Sequence, residues 1–490
     1  MAAADKVSSL KSNFFINNEY TPPSDDNVIP LYNPATEEFI TSVPIAGRAE
    51  VDAAVAGAWE AFKNGPWSTF TGAERAKRML KLADLIEENI EELVALETLT
   101  MGQPAGPKEM IKTATVDAWR YYAGWADKIA GSSFRPEAGG PWRLVTYQPL
   151  GVCAGIAPWN SSHSTFAWKA APALAAGNTV VFKSSEKAPL GLAAMGTLIK
   201  AAGFPPGVVQ ILSGPGSTGA LLAEHPNIAK ISFTGSVATG KKIHAAAARS
   251  NLKRVTLELG GKSPAIVFDD ADLENAVRHC TAGLLVNSGQ ACFASSRILV
   301  QRSVAPRFLA ALQTAFSSIA AAMRDPALLR SPLEELGPLA DREQFDRVMS
   351  FIENAERAHE ATLLVGGRRV GEKGYYVEPT LFVDPRPDAD IYRREIFGPV
   401  GVVRTFETER EAICEANDSF YGLSTTVFTS SIPRALRVAE MVEAGTVGVN
   451  TMFVPSVQAP FGGWKESGQG REMGRDGLMA YMEAKTVHIG

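Results

Sequence analysis

The sequence predicts an α/β protein built on a parallel sheet. Between residues 152 and 236, short apolar runs alternate with stretches of helical periodicity, so a single helix separates each predicted strand from the next. Connections of this kind give parallel strands with right-handed crossovers. The chain has 490 residues, of which 46% are hydrophobic, and this length exceeds what one hydrophobic core supports. We therefore expect about two or three domains.

The elements of this region follow from its apolar runs and turn residues. Strands are predicted at 152–157, 179–183, 208–212 and 230–234, and helices at 165–176, from Pro189 to Ala202, from Gly216 and from Ser236. Ligands of such sheets bind beyond the carboxyl ends of the strands. We therefore expect the functional site at that edge of the sheet.

The flanking regions continue this mixture of helices and strands. Short strands are predicted over 13–45, and further strands at 298–301 and 363–365. Helices are predicted over 50–65 and near 269–288, 303–323 and 341–357. Two more helices are predicted from apolar residues at helical spacing, one through Leu82, Ile86, Ile90 and Leu93 and one around Trp119, Tyr122 and Trp125. The three aromatic residues recur at helical spacing, which is typical of a core stripe. The alternative is a ligand cage.

Composition argues against several classes of function. The net charge is -5 with acidic and basic residues interspersed, which gives no footprint for nucleic acid or an anionic membrane. Met1–Leu10 carries charged residues and lacks the apolar core of a secretory signal, and the helix candidate Phe308–Met323 is too short to cross a bilayer. Four cysteines form no disulfide framework, so we expect a cytoplasmic protein.

One cysteine is a candidate nucleophile. Cys292 lies in the segment Asn287–Arg297 among small and polar residues, which would leave its sulfur approachable. The alternative is that this cysteine acts as a small hydrophobic residue, as most single cysteines do.

Two glycine-rich turns are candidate phosphate-binding sites. Residues 214–219 match G-x-G-x-x-G between a strand and a helix, but no acidic residue follows at the distance that a ribose-binding fingerprint requires. The alternative is tight packing between helix and strand. The second turn, Phe233–Ser236, leads into a helix whose first amides could face a pyrophosphate. Its alternative is an ordinary serine N-cap.

Glu258 is a candidate general base. It stands between Leu257 and Leu259, and an apolar environment raises the pKa of a buried carboxyl group toward neutral pH. The alternative is a partly exposed glutamate on a strand.

The chain as a whole resembles the aldehyde dehydrogenase superfamily. Motifs in matching order and spacing carry the resemblance over nearly the whole length: Pro158–Asn160, Lys183–Glu186, Phe233–Ser236, Leu257–Lys262, Gly289–Cys292, Glu395–Pro399 and Pro460–Gly474. A single motif would be weak evidence for the family, whereas the whole set in this order is specific to it.

The resemblance implies a fold with three parts. It implies a Rossmann-like NAD-binding domain over 1–130 and 150–259, an α/β catalytic domain over 260–466, and small β segments at 131–149 and 467–490 that serve oligomerisation. The hairpin near 131–149 would pair with a neighbouring subunit, giving a homodimer or homotetramer. Such pairing would also bury exposed strand edges.

The resemblance also implies a reaction. Cys292 as thiolate attacks an aldehyde, and the Asn160 amide with the Cys292 backbone N–H holds the oxyanion. Glu258 then activates the water that hydrolyses the thioester to a carboxylic acid. Lys169 and Glu472 match a pair that either passes this proton outward or forms a structural ion pair. Alternatives are a CoA-acylating enzyme, which typically lacks the glutamate, and a non-catalytic relative, which typically loses one of the catalytic residues.

The resemblance also implies which residues of this chain bind the cofactor. Lys183 and Glu186 resemble a ribose-binding pair, and a carboxylate there favours NAD, with NADP as the weaker alternative. This segment departs from many relatives, which have proline after the lysine. The full set of predicted cofactor residues is Ile156, Ala157, Pro158, Trp159, Lys183, Ser185, Glu186, Gly216, Gly219, Phe233, Gly235, Ser236, Thr239, Leu259, Glu395 and Phe397.

The substrate face departs from the family after Asn160. The predicted lining is Ser161, Ser164, Thr165, Trp168, Phe293 and Phe461, which would give a wide and polar tunnel for bulky neutral aldehydes, aromatic or hydroxylated. The lack of an aromatic at 161 argues against betaine aldehyde, and the lack of a cation argues against dicarboxylic semialdehydes. The alternative is that Phe453 fills the space. His163 is predicted as structural or exposed, with no metal site.

Overall fold

The computed structural model describes residues 14–104, 108–323 and 336–490. The prediction for Met1–Leu10 lies outside the described residues. The helices are α1 (Arg48–Lys63), α2 (Gly72–Glu88), α3 (Ile90–Met101), α4 (Lys108–Lys112), α5 (Ala118–Ala123), α6 (Ser162–Ala175), α7 (Leu190–Ala201), α8 (Gly216–Glu224), α9 (Val237–Ser250), α10 (Leu273–Leu285), α11 (Ala305–Met323), α12 (Arg342–Arg357), α13 (Asp390–Arg393), α14 (Glu409–Asn417), α15 (Ile432–Met441) and α16 (Gly474–Met479).

The first sheet contains the strands that the sequence predicted between 152 and 236. Its spatial order is β2 (Glu19–Thr21), β1 (Phe14–Ile16), β9 (Val209–Leu212), β8 (Thr179–Lys183), β7 (Val152–Ile156), β10 (Lys230–Thr234), β11 (Arg254–Glu258) and β21 (Gly468–Gln469). The five central strands, β9, β8, β7, β10 and β11, are parallel to one another. Strands β1 and β21, which flank them, are antiparallel to their neighbours β9 and β11. The predicted parallel sheet is confirmed.

Helices cover both faces of the first sheet. Val180 and Phe182 pack against α2, α5, α6 and α7, whereas Val181 packs on the other side against α1, α8 and α9. Successive residues of a strand point to opposite faces. A strand covered on both sides is therefore mostly apolar, as β7, β8 and β9 are, and the polar residues within these strands, Thr179, Lys183 and Gln210, are buried.

The second sheet lies in the second half of the chain. Its order is β14 (Thr362–Val365), β15 (Thr380–Val383), β16 (Val400–Phe406), β13 (Arg297–Gln301), β12 (Pro264–Val267), β18 (Ser424–Phe428) and β19 (Thr446–Val449). All neighbours are parallel except β14 and β15. Helices α10 and α11 cover one face, and α14 and α15 cover the other.

The remaining strands form three small sheets. They are β22 (Met482–Ile489), β6 (Trp142–Pro149) and β5 (Ser132–Phe134) in one, β3 (Val28–Tyr32) with β4 (Phe39–Pro44), and β17 (Tyr421–Gly422) with β20 (Trp464–Lys465). Within the described ranges, no helix has the length and apolar character needed to cross a membrane.

Some predicted helix boundaries are wrong. The helix predicted through Leu82 and Leu93 is two helices, because the side chain of Asn89 donates to the Leu85 carbonyl at 2.7 Å and interrupts the run. The helix predicted near 269–288 begins only after Asp272, whose side chain accepts from the Asn275 amide at 3.1 Å, and ends at Leu285.

The helix predicted from 165 begins earlier, at Ser162. Trp119 and Tyr122 are core residues as predicted, and Trp125 packs against them just beyond the end of α5.

We predict that Phe166→Ala destabilises the protein by about 3–5 kcal/mol, because it leaves a cavity in the core. The Phe166 ring is fully buried, with its centroid 4.9 Å from that of Phe182 and 5.6 Å from that of Trp119. Urea unfolding monitored by tryptophan fluorescence measures the loss. The control Leu252→Ala removes an exposed side chain and should change stability by less than about 0.5 kcal/mol. Equal effects of the two substitutions would contradict this account of the core.

Candidate functional site

A crevice of about 810 Å³ lies between the two large sheets, beyond the carboxyl ends of β7, β8 and β10. This is the edge at which the sequence predicted the site. The crevice extends from the first turn of α8 to Cys292. Among the predicted cofactor residues, those that line it are Ile156, Ala157, Pro158, Trp159, Lys183, Glu186, Gly216, Gly219, Phe233, Gly235, Ser236, Thr239, Leu259, Glu395 and Phe397.

Ser185 does not line the crevice. Its side chain is buried, and its hydroxyl donates to Glu186 Oε2 at 3.4 Å and accepts from the Lys187 amide at 3.3 Å. Ser185 therefore orders the turn that presents Glu186.

The wall of the crevice next to the first sheet combines an open glycine turn with a helix N-terminus. A Cβ added at Gly216 would meet no atom within 4 Å, so this turn leaves room for a ligand. Gly214 instead packs closely against Thr218. The Ser236 hydroxyl caps α9 by accepting from the Thr239 amide at 3.3 Å. The first turn of α9 faces the crevice, which suits an anionic group.

Lys183 and Glu186 meet at one end of the crevice. Lys183 Nζ lies 3.7 Å from Glu186 Oε2 and donates to the Ser184 carbonyl at 2.9 Å. Burial lowers the pKa of Lys183, and the nearby Glu186 opposes this effect. The two side chains together offer a donor and an acceptor to hydroxyl groups of a ligand.

The Glu395 carboxyl group closes the opposite end. Its Oε1 accepts from the Gly261 amide at 3.1 Å, and burial raises its pKa to about 7. A Cβ at Gly260 would lie 2.2 Å from Glu395 Oε2, so only glycine permits this approach. Phe397, at a φ of +63°, contacts Trp159 edge to face at 5.2 Å between ring centroids.

A constrained loop carries Cys292. Three consecutive residues, Asn287, Ser288 and Gly289, have φ values of 49°, 58° and 73°. The Ser288 hydroxyl donates to the Gly337 carbonyl at 2.8 Å, and a Cβ at Gly289 would lie 2.0 Å from the Gly398 carbonyl. Left-handed conformations of non-glycine residues persist only where the surroundings enforce them. The loop therefore holds Cys292 in one place.

The Cys292 thiol is half-buried at the inner end of the crevice. Burial, together with the carboxyl groups of Glu395 and Glu258, raises its pKa to about 12. The backbone amides of Cys292 and Phe293 act in the opposite direction. The free protein therefore holds this sulfur as a thiol at neutral pH.

The Asn160 side chain lies beside this loop. Its amide donates one hydrogen bond to the Gln290 carbonyl at 2.8 Å, which leaves the second N–H available. Asn287 in turn donates to the Asn160 carbonyl at 3.3 Å. Two contacts thus fix Asn160 relative to the loop that carries Cys292.

Glu258 is buried, so the alternative of a partly exposed glutamate on a strand is wrong. The residue is 3% exposed, and neither carboxyl oxygen has a hydrogen-bond partner among the described residues. Desolvation raises its pKa well above the ordinary value, Glu472 raises it further, and Lys169 and Arg471 oppose this. An unpaired, buried carboxyl group next to a thiol is the electrostatic arrangement that a general base requires.

Lys169 and Glu472 form a buried ion pair behind Glu258. Ser232 joins them, since its hydroxyl lies 3.1 Å from Lys169 Nζ and 3.0 Å from Glu472 Oε1. The predicted pair is therefore present, and the geometry suits either of its predicted roles.

Comparison with known proteins identifies the family. The sequence model of the aldehyde dehydrogenase family matches residues 20–487. Human retinal dehydrogenase 2 is 45% identical over 479 residues, covering 97% of this chain and 91% of that protein. An aldehyde dehydrogenase of Emericella nidulans is 44% identical over 480 residues, covering 97% and 94%. The NAD+ complex of the Bacillus cereus aldehyde dehydrogenase has a TM-score of 0.93 at 41% identity, covering 99% and 98%.

The chain belongs to the aldehyde dehydrogenase family. The predicted family and fold class are thereby confirmed, and the protein is an aldehyde dehydrogenase.

The predicted substrate face of this dehydrogenase is only partly open. Ser161 lines the crevice with Cys292, and its hydroxyl lies 3.1 Å from that of Thr165, which is buried. Ser164 and Trp168 remain partly exposed, but both contact the segment 113–117 through hydrogen bonds of 3.3 Å to Thr115 and 2.8 Å to the Ala114 carbonyl.

An aromatic cluster borders the thiol. Phe453 lies between Phe293 and Phe461, with ring centroids 4.9 Å and 5.2 Å away, and Trp168 contacts Phe461 at 5.6 Å. Phe453 thus occupies space next to the predicted wall, which is the alternative that the sequence left open. His163 is buried, so of its two predicted placements the exposed one is wrong.

Sequence reasoning missed several residues of the crevice. They are Lys187, Ala220, Ala223, Glu224, Thr234, Lys242, Ile243, Ala246, Arg249, Gly260, Glu343, Gln344 and Arg347. Those on α9 recur at helical spacing after Ser236, so the periodicity that predicted the helix could also have predicted this face. The residues of α12 come from the other sheet, and nothing local in the sequence indicates that contact. Within the described ranges, no group of three or more His, Cys, Asp or Glu side chains could hold a metal ion.

We predict that iodoacetamide alkylates Cys292 of the free enzyme slowly at about pH 7 and ever faster to beyond about pH 9, because only the thiolate reacts. Burial raises the pKa of this thiol to about 12. Mass spectrometry of the peptide carrying Cys292 gives the rate, and the exposed Cys414 serves as the internal control. A rate for Cys292 that levels off by about pH 10, as it does for a cysteine with the ordinary pKa of about 8.5, would show that the thiol is not desolvated.

Proposed function

We propose that this aldehyde dehydrogenase oxidises bulky, neutral aldehydes to carboxylic acids by nucleophilic catalysis at Cys292, with hydrolysis assisted by Glu258. The observation that carries the proposal is the pairing of a half-buried thiol with a buried carboxyl group that has no partner among the described residues. Nucleophile and base are then distinct groups within one site.

NAD is the cofactor, and the crevice fits it. Solved structures of an aldehyde dehydrogenase from Bacillus cereus and a betaine aldehyde dehydrogenase from Staphylococcus aureus hold NAD+ at 41% and 36% identity. In this chain, Lys183 and Glu186 would hold a ribose, the α9 N-terminus the pyrophosphate, and Glu395 the nicotinamide end. The open turn at Gly216 and the unpartnered, buried Thr234 hydroxyl support this fit. When bound, NAD accepts a hydride.

The first step is attack of the Cys292 sulfur on the aldehyde carbon. Because the thiol holds its proton in the free enzyme, that proton must leave to solvent in the open crevice as the bond between sulfur and carbon forms. The carbonyl oxygen becomes an oxyanion, which the second N–H of the Asn160 amide and the Cys292 backbone N–H stabilise. Asn160 is held for this role by its bond to the Gln290 carbonyl.

Loss of the hydride of this carbon to bound NAD would turn the oxyanion into the carbonyl of a thioester on Cys292. The second step is hydrolysis of that thioester. Glu258 takes a proton from the attacking water, for which its raised pKa suits it at neutral pH. The buried Lys169–Glu472 pair either passes that proton on or holds the strand that carries Glu258. The presence of Glu258 favours hydrolysis over transfer of the acyl group to CoA.

The proposed substrate class rests on the residues beside the thiol. Ser161 supplies a small polar wall, and Trp168, Phe293 and Phe461 supply apolar walls, with Phe453 among them. An aromatic border favours an extended apolar or aromatic aldehyde over acetaldehyde. Human retinal dehydrogenase 2, a 45% identical relative, is named for a bulky apolar aldehyde.

The proposed assembly is a homodimer or homotetramer in the cytoplasm. The small sheet β5–β6–β22 exposes Phe134, Trp142, Val487 and Ile489, and β5 and β22 form its two edges. Exposed apolar edge strands favour pairing with another chain. We keep the division into 1–130 with 150–259, 260–466, and 131–149 with 467–490, except that Gly468–Gln469 pairs with β11 and joins the first part.

The test of the proposal is Cys292→Ala. It should abolish NADH formation with every aldehyde while leaving the thermal unfolding temperature within a few degrees, because a small side chain replaces a nucleophile. The matched control is Cys414→Ala, which removes the exposed cysteine and should retain full activity. Absorbance of NADH measures both. Turnover by Cys292→Ala at the wild-type rate would refute the assignment.

Glu258→Gln should separate the two steps of the reaction. Acylation should persist while hydrolysis of the thioester slows by roughly a hundredfold or more, because only hydrolysis loses its base. Rapid-mixing experiments should therefore show a burst of NADH followed by slow turnover. The outcome against this role of Glu258 is a variant whose burst and steady-state rates fall together.

Ser161→Phe should narrow the substrate face. We expect a fall in kcat/KM of about tenfold for a bulky aromatic aldehyde and a smaller fall for acetaldehyde, because the new ring competes with the larger substrate for space. Ser161→Ala is the control, since it removes the hydroxyl without adding volume. If the ratio of kcat/KM values for the two aldehydes does not change, residue 161 does not shape the site.

A further inference from the structure

A buried polar cluster lies directly behind the loop that carries Asn160, and the proposed reaction does not use it. The cluster consists of Glu97 on α3 and Ser162 and His163 at the start of α6. The three residues are only 1%, 1% and 2% exposed. Glu97 Oε1 lies 3.8 Å from His163 Nε2.

The polar atoms of the cluster lack partners outside it. Both carboxyl oxygens of Glu97, the Ser162 hydroxyl and His163 Nε2 have no hydrogen bond to any described residue. Burying such groups unpaired is costly. These atoms are close to one another, so the least costly arrangement is a mutual bond in which the Glu97 carboxyl group donates to the imidazole nitrogen.

Gly191 makes room for the cluster. A Cβ at this position of α7 would lie 2.4 Å from Glu97 Oε1 and 2.5 Å from His163 Nε2. Three helices therefore meet here, with Gly191 from α7, Glu97 from α3, and Ser162 and His163 from α6. Glu97 and His163 are the titratable groups that face each other at this junction.

The charge states suit a hydrogen bond between neutral groups. Burial raises the pKa of Glu97 to about 8, with the Ser162 hydroxyl opposing. Burial lowers the pKa of His163 to about 4, with the Gly191 backbone opposing. Near neutral pH the carboxyl group keeps its proton as a donor, and the imidazole offers an acceptor.

We infer that Glu97, Ser162 and His163 form a positioning cluster that fixes the start of α6 and thereby holds the Asn160 amide and the Ser161 side chain in place for the reaction. The Asn160 side chain is held from its other side by the Gln290 carbonyl. A shift at residue 162 would move the amide that stabilises the oxyanion. The inference rests on the oxyanion role proposed for Asn160.

The variants His163→Leu and His163→Asn test the cluster. Leucine and asparagine side chains have similar size, but only asparagine can form a hydrogen bond. His163→Leu should lower the rate of the NADH burst roughly tenfold or more, since small displacements of a catalytic group are costly. NAD affinity, measured by quenching of protein fluorescence, should not change. His163→Asn should restore most of the rate, whereas a purely packing role predicts that leucine serves as well as asparagine or better.

The matched control is His225→Leu. His225 also pairs with a carboxylate, since its Nε2 lies 3.4 Å from Asp52 Oδ1, but both residues line a separate groove. Loss of this pair should leave the burst rate at the wild-type value.

Glu97→Gln keeps the volume of the side chain and removes its titration. The wild-type native state holds a proton that the unfolded chain loses at a pKa near 4.5, so wild-type stability falls as pH rises from 4.5 to about 8. The Tm advantage of Glu97→Gln over the wild type should therefore grow across this range and stay constant above it. Its burst rate at about pH 7 should match the wild type, and the ratio of variant to wild-type rates should rise above about pH 8.

Three results would overturn the inference. They are a wild-type burst rate in His163→Leu, equal rates in the leucine and asparagine variants, and a Tm difference for Glu97→Gln that does not depend on pH. If His163→Leu does not fold, the Glu97→Gln measurements decide alone. A wild-type enzyme that forms no NADH with any aldehyde, either in a burst or in the steady state, would refute the proposed function instead, and the Tm comparison would still decide the cluster.

Discussion

Desolvation of ionisable groups is the constraint on which the site depends. Cys292, Glu258 and Glu395 share one buried region, and burial raises the pKa of each. Each anion that forms there disfavours the next, because like charges repel strongly where water is excluded. Loss of a proton from any one of these three groups therefore raises the pKa of the other two. A positive charge that enters the crevice would reverse this balance in favour of the thiolate.

Glycine allows the backbones of the two halves to approach at this region. A Cβ at Gly261 would lie 2.4 Å from the Cys292 carbonyl, and one at Gly462 would lie 2.7 Å from Glu258 Oε1. Side chains at these positions would separate the nucleophile from the base. Gly261 and Gly462 thus set how closely the nucleophile and the base approach each other.

The sequence predicted those features of the fold and site that depend on residues close together in the chain. Mostly apolar runs predicted β7, β8 and β9, because strands covered on both faces bury nearly all of their side chains, and Leu257 with Leu259 indicated an apolar environment around Glu258. Features that depend on distant residues were not predictable. Phe453 reaches Phe293 and Phe461 from separate loops, and α12 adds its side chains to the crevice from the other sheet.

Glu258 and its buried neighbour Glu472 differ in their partners, and this difference supports their assignment. Glu472 is already neutralised by Lys169 and hydrogen-bonded to Ser232, so a further proton would disrupt an existing pair. Glu258 has no such partner, and an unpaired carboxyl group in the interior costs stability. A fold keeps a costly group of this kind where a reaction needs it, because removing water from a base tunes its pKa to the working pH. At a position with only a structural role, an unpaired buried carboxyl group would lower stability without any gain in activity.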